Sequence, residues 1–337
     1  MRETTMPRPT VIVLAAGAGT RMKSATPKVL HDVCGRSLVG HVLHAASAVD
    51  PDRLVVVVRH ERDLVAAHIS AIAPHAIIAD QDEVPGTGRA VWCGLQALPE
   101  DLEGPVLVTA ADTPLLDGDT LVALMAAHTG NDITVLTTHV PDPTGYGRIV
   151  RDENGIISSI VEHRDATPEQ LEIDEINSSM YVFDAAILRS MLGGLGTDNA
   201  QGEMYLTDVI SGGYGQGLRI GSYIGDPLCV EGVNDRVQLA NLRAIMNRRL
   251  LEDAMRAGTT VEDPSSTWVE VGVTFEPDSL VRPGSYLTGT TSIASGAAIG
   301  PHVYLDSVEV GPGVDVSFAR HAHTSLSVDA TQKDGQS

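Results

Sequence analysis

The sequence is short of basic residues, cysteines and long apolar runs, and each shortage excludes a class of protein. Its 337 residues carry 23 Lys and Arg against 44 Asp and Glu, which argues against a nucleic-acid surface because such surfaces need clustered cations. The three cysteines, Cys34, Cys93 and Cys229, form no CxxC pair, which excludes a disulfide framework or a thiolate zinc site. No apolar run reaches the roughly 18 residues of a membrane span. We therefore expect a cytoplasmic protein with neither a nucleic-acid nor a membrane partner.

Short apolar runs alternate with amphipathic segments from residue 10 to residue 230. The runs at 10–16, 54–58 and 105–109 are rich in β-branched residues and are typical of buried parallel strands. The segments between them have helical spacing. This alternation predicts a doubly wound α/β domain with a mostly parallel sheet.

A different periodicity follows near the end of the chain. Apolar residues recur there at a strict six-residue spacing, at Val269, Phe275, Val281, Leu287, Ile293, Ile299 and Leu305. Val310 and Val316 continue the series after a slip of one residue. A six-residue repeat is typical of a left-handed parallel β-helix, in which each side of a triangular coil contributes one inward side chain. An ordinary antiparallel sheet remains the alternative.

These patterns divide the chain into four parts. The α/β domain covers residues 1–234. A long amphipathic segment without Gly or Pro predicts a linker helix over 235–258, ended by Gly258. The β-helix follows over 259–328, and the polar tail at 329–337 is predicted to be disordered.

A glycine-rich turn directly follows the first predicted strand, in the sequence LAAGAGTRM at 14–22. Arg21, Lys23 and Lys28 follow within eleven residues of Gly17. Small residues let backbone N–H groups approach a phosphate, and nearby cations suit a polyphosphate. The turn matches neither the dinucleotide fingerprint nor the P-loop. On this pattern alone, a purely structural turn remains equally possible.

The motifs together resemble a known enzyme family, the bacterial bifunctional N-acetylglucosamine-1-phosphate uridyltransferases and glucosamine-1-phosphate acetyltransferases. Besides LAAGAGTRMKSATPKVL at 14–30, the segments that carry the resemblance are QDEVPGTGRAV at 81–91, TAADTPLL at 109–116, PTGYGRIVRD at 143–152, IVEHRDAT at 160–167, EINSSMYVF at 175–183, QGEMYLTDVI at 201–210 and EGVNDRVQLA at 231–240. The resemblance covers residues 9–330. It implies a Rossmann-like nucleotidyltransferase domain, a linker helix, a short left-handed parallel β-helix and a homotrimer.

The resemblance also implies residues that bind the nucleotide. The segment matching the family's uracil and nucleotide contacts comprises Leu14, Ala15, Ala16 and Gly17. Gln81, Gly86 and Thr87 match the family's uracil contacts, although Gln81 alone would be interpreted as a solvated loop residue. The residues expected to neutralise the phosphates, and so to act in catalysis, are Arg21 and Lys28.

The metal and sugar sites are implied in the same way. Asp112 and Asn234 match the family's Mg²⁺ ligands, although the position of Asp112 alone would equally suit a helix N-cap. The residues matching contacts to the sugar are Gly147, Glu162 and Asn177. Glu162 alone would be interpreted as part of a surface charge cluster. Tyr205 and Thr207 are expected to support the sugar pocket, and we expect His163 to be structural.

The implied reaction is uridylyl transfer from UTP to N-acetylglucosamine 1-phosphate, for cell-wall precursor synthesis. We expect the acetyltransferase activity to be absent, because the repeats stop near Val316 and neither His321 nor His323 matches the family's catalytic histidine. Two alternatives remain open. One is a pyrophosphorylase for another sugar phosphate or nucleotide, and the other is a non-catalytic protein with an assembly or nucleotide-sensing role.

Overall fold

A computed structural model of the chain describes residues 7–196 and 201–328. Its internal contacts form two compact units. The first unit comprises Met1–His31 and Ser37–Asp235, and the second comprises Asp32–Arg36 and Arg236–Ser337. The tail at 329–337, predicted to be disordered, lies outside the described residues. Among the described residues, the helices are too short or too polar to cross a bilayer.

The first unit is built from strands that alternate with helices. Up to residue 235 the strands are β1 (Thr10–Ala15), β2 (Asp32–Val33), β3 (Arg36–Ser37), β4 (Arg53–Val58), β5 (Ile77–Asp80), β6 (Pro105–Ala110), β7 (Ile133–His139), β8 (Arg148–Arg151), β9 (Ile157–Val161), β10 (Glu175–Asp184) and β11 (Ile220–Ile224). Of these, β2 and Arg36 of β3 belong to the second unit. The α-helices are α1 (Leu38–Ala46), α2 (Arg62–Ile72), α3 (Thr87–Gln96), α4 (Gly118–Ala127), α5 (Pro168–Leu171), α6 (Ala185–Leu192), α7 (Asp208–Gly215) and α8 (Pro227–Val230). Short 3-10 helices cover Thr20–Met22, Lys28–Leu30 and Ser47–Val49.

The main sheet has the strand order β11-β7-β10-β6-β1-β4-β5, and β8 and β9 extend it from β10. β1 pairs in parallel with both β4 and β6, which confirms the predicted α/β class. β10 runs antiparallel between β6 and β7, so the sheet is mixed at this point. This reversal is not evident in the sequence, because a buried apolar run has the same composition in either direction.

Helices cover both faces of this sheet because successive side chains of each strand point to opposite sides. On β1, Val11 and Val13 pack into the core formed with α1, α2 and α4. Ile12, between them, packs into the core formed with α3, α6 and α7. Both layers thereby exclude water from the strands, and the carboxyl ends of β1, β4 and β6 open at one edge.

The second unit contains a long helix, α9 (Arg236–Arg256), and a solenoid of short strands. These strands are β12 (Thr260–Val261), β13 (Trp268–Val269), β14 (Thr274–Phe275), β15 (Leu280–Val281), β16 (Tyr286–Thr288), β17 (Ser292–Ile293), β18 (Ala298–Ile299), β19 (Tyr304–Asp306), β20 (Glu309–Val310), β21 (Asp315–Val316), β22 (Arg320–Ala322) and β23 (Ser325–Leu326). Val269 pairs with Leu287, which pairs with Leu305, always in parallel. The strands form three parallel sheets, so the predicted left-handed β-helix is confirmed and the antiparallel alternative is wrong.

Five residues from early in the chain, 32–36, complete the second unit. Val271 N–H donates to the carbonyl of Cys34 at 2.9 Å, and Cys34 Sγ lies 3.6 Å from the carbonyl oxygen of Arg243 on α9. Burial raises the pKa of the Cys34 thiol to about 12. Gly35 has φ 84°, and a side chain there would collide with Glu270. This segment therefore packs as an integral part of the second unit.

Candidate active site

The predicted nucleotide segment lies at the carboxyl end of β1. Ala15 and Ala16 are buried, Leu14 is half-buried, and Gly17 is exposed where the strand ends. The Leu14 carbonyl accepts from Ala111 N–H at 3.0 Å, which joins this end of β1 to the end of β6. The carboxyl ends of parallel strands are where open α/β sheets bind ligands. The segment therefore lies where the sequence predicts a nucleotide.

The glycine turn continues from this edge towards Lys28. Gly19 has φ 58°, in the left-handed region that favours glycine. Met22 N–H donates to the Gly19 carbonyl at 3.0 Å and closes a 3-10 turn. A Cβ atom at Gly19 would lie only 2.5 Å from the Cβ of Lys28. The absence of a side chain at Gly19 thus lets the turn pack against the segment that carries Lys28.

Two cation–oxygen pairs meet beyond the ends of β1 and β6. Lys28 Nζ lies 2.5 Å from Asp112 Oδ2, and Arg21 Nη2 donates to Asn234 Oδ1 at 2.8 Å. Val233 N–H donates to the Asp112 carbonyl at 2.9 Å, so Asn234 is held beside Asp112 although they lie 122 positions apart in the sequence. All four predicted phosphate and metal residues are therefore brought together.

Asp112 does not cap a helix. The N-cap of α4 is Asp117, whose side chain accepts from Thr120 N–H at 2.8 Å. Asp112 instead lies two residues beyond the end of β6, in the loop that leads to α4, with Gly232 opposite its carboxylate. A Cβ atom at position 232 would occupy the space beside this carboxylate, 3.6 Å from its atoms. Because residue 232 is glycine, that space stays open. The helix-capping alternative is therefore wrong for Asp112.

The oxygen atoms of Asp112 and Asn234 suit a hard divalent cation. Mg²⁺ is commonly held by one or two carboxylates together with water and substrate phosphates. The described residues hold no cluster of three or more His, Cys, Asp or Glu that would form a complete protein cage. One carboxylate and one amide oxygen therefore fit an ion whose remaining ligands come from a substrate.

The predicted uracil loop is held by its own hydrogen bonds. Gln81 Nε2 donates to the carbonyls of Val84 and Gly86 at 3.0 and 3.2 Å. Because these bonds use its two amide hydrogens, only its Oε1 remains to meet a base. Thr87 Oγ1 accepts from Leu206 N–H at 3.1 Å. Gly86 has φ 114°, and a side chain there would overlap the backbone of Met204, so Gly86 and Thr87 shape the loop.

The three predicted sugar residues surround one small space. A Cβ atom at Gly147 would lie 3.5 Å from the Cβ of Asn177 and 3.6 Å from Glu162 Oε1. Asn177 N–H donates to the Gly147 carbonyl at 2.9 Å. Burial raises the pKa of Glu162, so this residue is not the surface charge that its sequence neighbours suggest. Glycine at 147 therefore keeps a polar pocket open between a carboxylate and an amide.

Thr207 and Tyr205, which the sequence predicts to support a sugar pocket, lie near Glu162. Thr207 Oγ1 lies 3.5 Å from Glu162 Oε1, and burial raises the pKa of Tyr205 to about 12. Burial, with the carboxylates of Glu231 and Asp112, raises the pKa of Tyr146. Tyr146 therefore lies close enough to Asp112, a predicted metal ligand, to be influenced by its charge.

Sequence reasoning missed two buried residues beside this pocket. Arg148 is 1% exposed, and its guanidinium donates to the carbonyl of Tyr146 and lies 3.4 Å from His163 Nδ1. The hydroxyl of Tyr181 donates to Asn177 Oδ1 at 2.9 Å. A cation and a phenol within strands have no distinctive spacing, so only the three-dimensional structure reveals them. His163 thus lies beside the buried Arg148, and its structural role stays a prediction.

The chain is similar in sequence to a known domain family and to bifunctional GlmU proteins. Residues 11–166 match the family model of the MobA-like NTP transferase domain. The chain is 55% identical to the bifunctional protein GlmU of Pseudarthrobacter chlorophenolicus, over 91% of this chain and 63% of that protein. It is 54% identical to the bifunctional protein GlmU of Streptomyces coelicolor, over 93% of this chain and 66% of that protein. The chain therefore spans a little under two thirds of these relatives.

A solved structure shares the fold at much lower identity. This is a structure from Bacillus anthracis, assigned as a glucose-1-phosphate thymidylyltransferase, in complex with sucrose. It aligns with a TM-score of 0.55 and 20% identity, over 70% of this chain and 94% of that chain. At this identity the likeness supports a nucleotidyltransferase fold and no particular substrate.

Proposed function

Because this chain belongs to the family of bifunctional GlmU proteins, of whose length it spans 63–66%, we propose that it is a uridylyltransferase. It would transfer the uridylyl group of UTP to N-acetylglucosamine 1-phosphate, giving UDP-N-acetylglucosamine and pyrophosphate for cell-wall precursor synthesis. The observation that carries the proposal is the meeting of two cations, Lys28 and Arg21, with the oxygens of Asp112 and Asn234 at the nucleotide end of the sheet.

The reaction needs positioning and charge neutralisation more than proton transfer. An oxygen of the sugar phosphate attacks the α-phosphorus of UTP, and the bond from that phosphorus to the pyrophosphate breaks. The electron pair of the broken bond leaves with pyrophosphate. The attacking oxygen is already anionic at neutral pH, so the site needs no general base. Lys28 and Arg21 would lower the barrier by neutralising phosphate charge.

The remaining residues would orient the two substrates. The segment Leu14–Gly17 would hold the nucleotide beside Gln81, whose Oε1 would accept from the uracil N–H. Glu162 and Asn177 would bind the sugar across Gly147. Asp112 and Asn234 would hold a divalent cation, which we propose to be Mg²⁺ on the family resemblance. Bound there, the ion would add positive charge between the phosphates of the two substrates.

Pyrophosphate release tests the proposal and its substrates together. The protein is assayed with UTP and N-acetylglucosamine 1-phosphate, and in parallel with glucose 1-phosphate and with dTTP. We expect rapid release with the first pair and loss of activity after chelation of divalent cations, restored by Mg²⁺. Faster turnover with another sugar phosphate or with dTTP would refute the substrate assignment. If none of the substrate pairs gave turnover, the proposal that the protein is an enzyme would be refuted.

We also propose a homotrimer acting in the cytoplasm, where UTP is available. The basis for the trimer is the family resemblance together with the β-helix, whose flat parallel sheets offer surfaces for self-association. Multi-angle light scattering at micromolar concentration should give three times the chain mass of 35.5 kDa. A monomer under these conditions would contradict the trimer and leave the transferase proposal intact.

A further inference from the structure

Asn177 lies in a distorted stretch of β10. The pairing of β10 with β7 shifts in register between Asn177 and Tyr181. Within the shift, Ser179 has φ 63°, a left-handed conformation that a residue other than glycine seldom adopts. The distortion brings two hydrogen-bond donors onto Asn177 Oδ1. They are Ser179 N–H at 3.1 Å and the Tyr181 hydroxyl at 2.9 Å.

These two bonds determine how the Asn177 amide is presented. A backbone N–H can only donate, so the atom that Ser179 N–H reaches must be the amide oxygen. With two donors on it, Oδ1 has both of its lone pairs engaged. The amide nitrogen is therefore the group that Asn177 can offer to a ligand in the pocket beside Gly147, and it can only donate.

Tyr181 is suited to hold this arrangement because its hydroxyl stays protonated. Tyr181 is 2% exposed, and its ring packs 5.5 Å from the ring of Phe183. Burial, with the nearby carboxylate of Glu162, raises the pKa of Tyr181 far above neutral pH. The hydroxyl therefore donates over the whole working range of an enzyme, and the buried ring cannot swing away from Asn177.

We propose that Tyr181 is a positioning residue that fixes Asn177 as a hydrogen-bond donor to the sugar phosphate. The proposal rests on the proposed function, since it assigns the role of Tyr181 within that sugar pocket. Glu162 in its ionised form can only accept, so the pocket presents one acceptor and one donor on either side of Gly147. The pocket therefore selects a sugar 1-phosphate that carries a donor for Glu162 and an acceptor oxygen for Asn177. An N-acylated amino sugar has both groups.

Tyr181→Phe tests the role because it keeps the buried ring and removes only the hydroxyl. Asn177 Oδ1 then loses one of its two donors, and the amide can leave its orientation. We expect the KM for N-acetylglucosamine 1-phosphate to rise about tenfold, the effect of losing one hydrogen bond. The KM for UTP should stay within twofold of the wild-type value. A change in folding alone would not separate the two substrates in this way.

A double-mutant cycle with Asn177→Ala separates positioning from packing. If Tyr181 acts through Asn177, Tyr181→Phe should add nothing further once the amide is gone. Tyr214→Phe is the matched control, because it also removes one tyrosine hydroxyl, but that hydroxyl donates to Asp152 Oδ2 at 2.9 Å on an exposed residue. It should leave the sugar KM unchanged. If Asn177→Ala fails to fold, Asn177→Ser replaces it in the cycle.

The outcomes distinguish this proposal from the proposed function. Calorimetric binding of N-acetylglucosamine 1-phosphate is measured beside turnover for every variant. An unchanged sugar affinity in Tyr181→Phe, or an effect fully additive with Asn177→Ala, would overturn the positioning role. A wild-type chain that binds the sugar phosphate but lacks turnover would refute the transferase alone. A wild-type chain that does neither would overturn both.

Discussion

Replacing Lys28 with methionine removes the cation that faces Asp112 and leaves the carboxylate alone. The two charged groups lie 2.5 Å apart, and their side chains are only 14% and 21% exposed. Exposed pairs contribute less than about 1 kcal/mol, whereas breaking a fully buried pair costs about 3–5 kcal/mol. This pair lies between these limits. We therefore expect Lys28→Met to lower the free energy of unfolding by about 1–3 kcal/mol, or the melting temperature by about 3–9 °C.

The double variant Lys28→Met, Asp112→Asn separates stability from catalysis. Removing both charges leaves no unpaired carboxylate, so the double variant should regain at least half of the lost stability. Turnover should remain at least about a hundredfold below wild type in both variants, because neither restores positive charge at the phosphates. Calorimetry and pyrophosphate release measure the two effects separately.

An exposed pair supplies the matched control. Arg8 and Asp50 lie 2.7 Å apart, but their side chains are 56% and 79% exposed. Arg8→Met should therefore change stability by less than about 1 kcal/mol and leave turnover unchanged. Wild-type turnover in Lys28→Met would refute the phosphate role. An equal loss of stability in Lys28→Met and Arg8→Met would refute the reasoning from burial.

Two further predictions concern the sugar pocket. Gly147→Ala would place a Cβ 3.2 Å from Ile160 and within 3.6 Å of Asn177 and Glu162, the proposed sugar contacts, so overpacking should raise the sugar KM at least about tenfold. Gly215→Ala, in open space, should leave steady-state kinetics unchanged, and equal effects would contradict the pocket. Burial raises the pKa of Glu162. Protonated Glu162 therefore stabilises the fold at pH values below the ordinary glutamate pKa, and this stabilisation is lost as the pH rises through the raised pKa. Glu162→Gln should therefore be more stable than wild type at neutral pH in calorimetry, with weaker sugar binding; lower stability would contradict the burial argument.

The β-helix is the part that the sequence predicts best, and the reason is physical. Each inward position stacks on its counterpart one coil away, so an apolar residue is needed at every sixth position. Val281, for example, pairs with Ile299, which pairs with Val316 beyond the slip. The strands of the main sheet were predicted for a similar reason, because buried parallel strands need continuous apolar runs. The antiparallel direction of β10 depends on its connections and has no such pattern.

The site is predictable only in part. The Gly17 turn and Asp112 follow neighbouring strands, so sequence order and sheet topology place them at one edge. Asn234 was placed by family resemblance, since its separation from Asp112 conceals the contact. Tyr181 could not be found, because the register shift after Asn177 breaks the two-residue alternation from which neighbours on a strand are inferred. Local irregularities of this kind arise from long-range packing that sequence patterns do not record.

The small segment at 32–36 imposes an order on the folding of the second unit. Its partner Arg243 is synthesised 209 residues after Cys34. During translation these five residues therefore stay exposed until the residues that bury them have been synthesised. The Cys34 thiol can be alkylated while it is exposed. It becomes inert once burial has raised its pKa to about 12. In a variant with serine at positions 93 and 229, the loss of thiol labelling would time the completion of this unit. The reactivity of Cys34 therefore reports when the second unit has assembled around this segment.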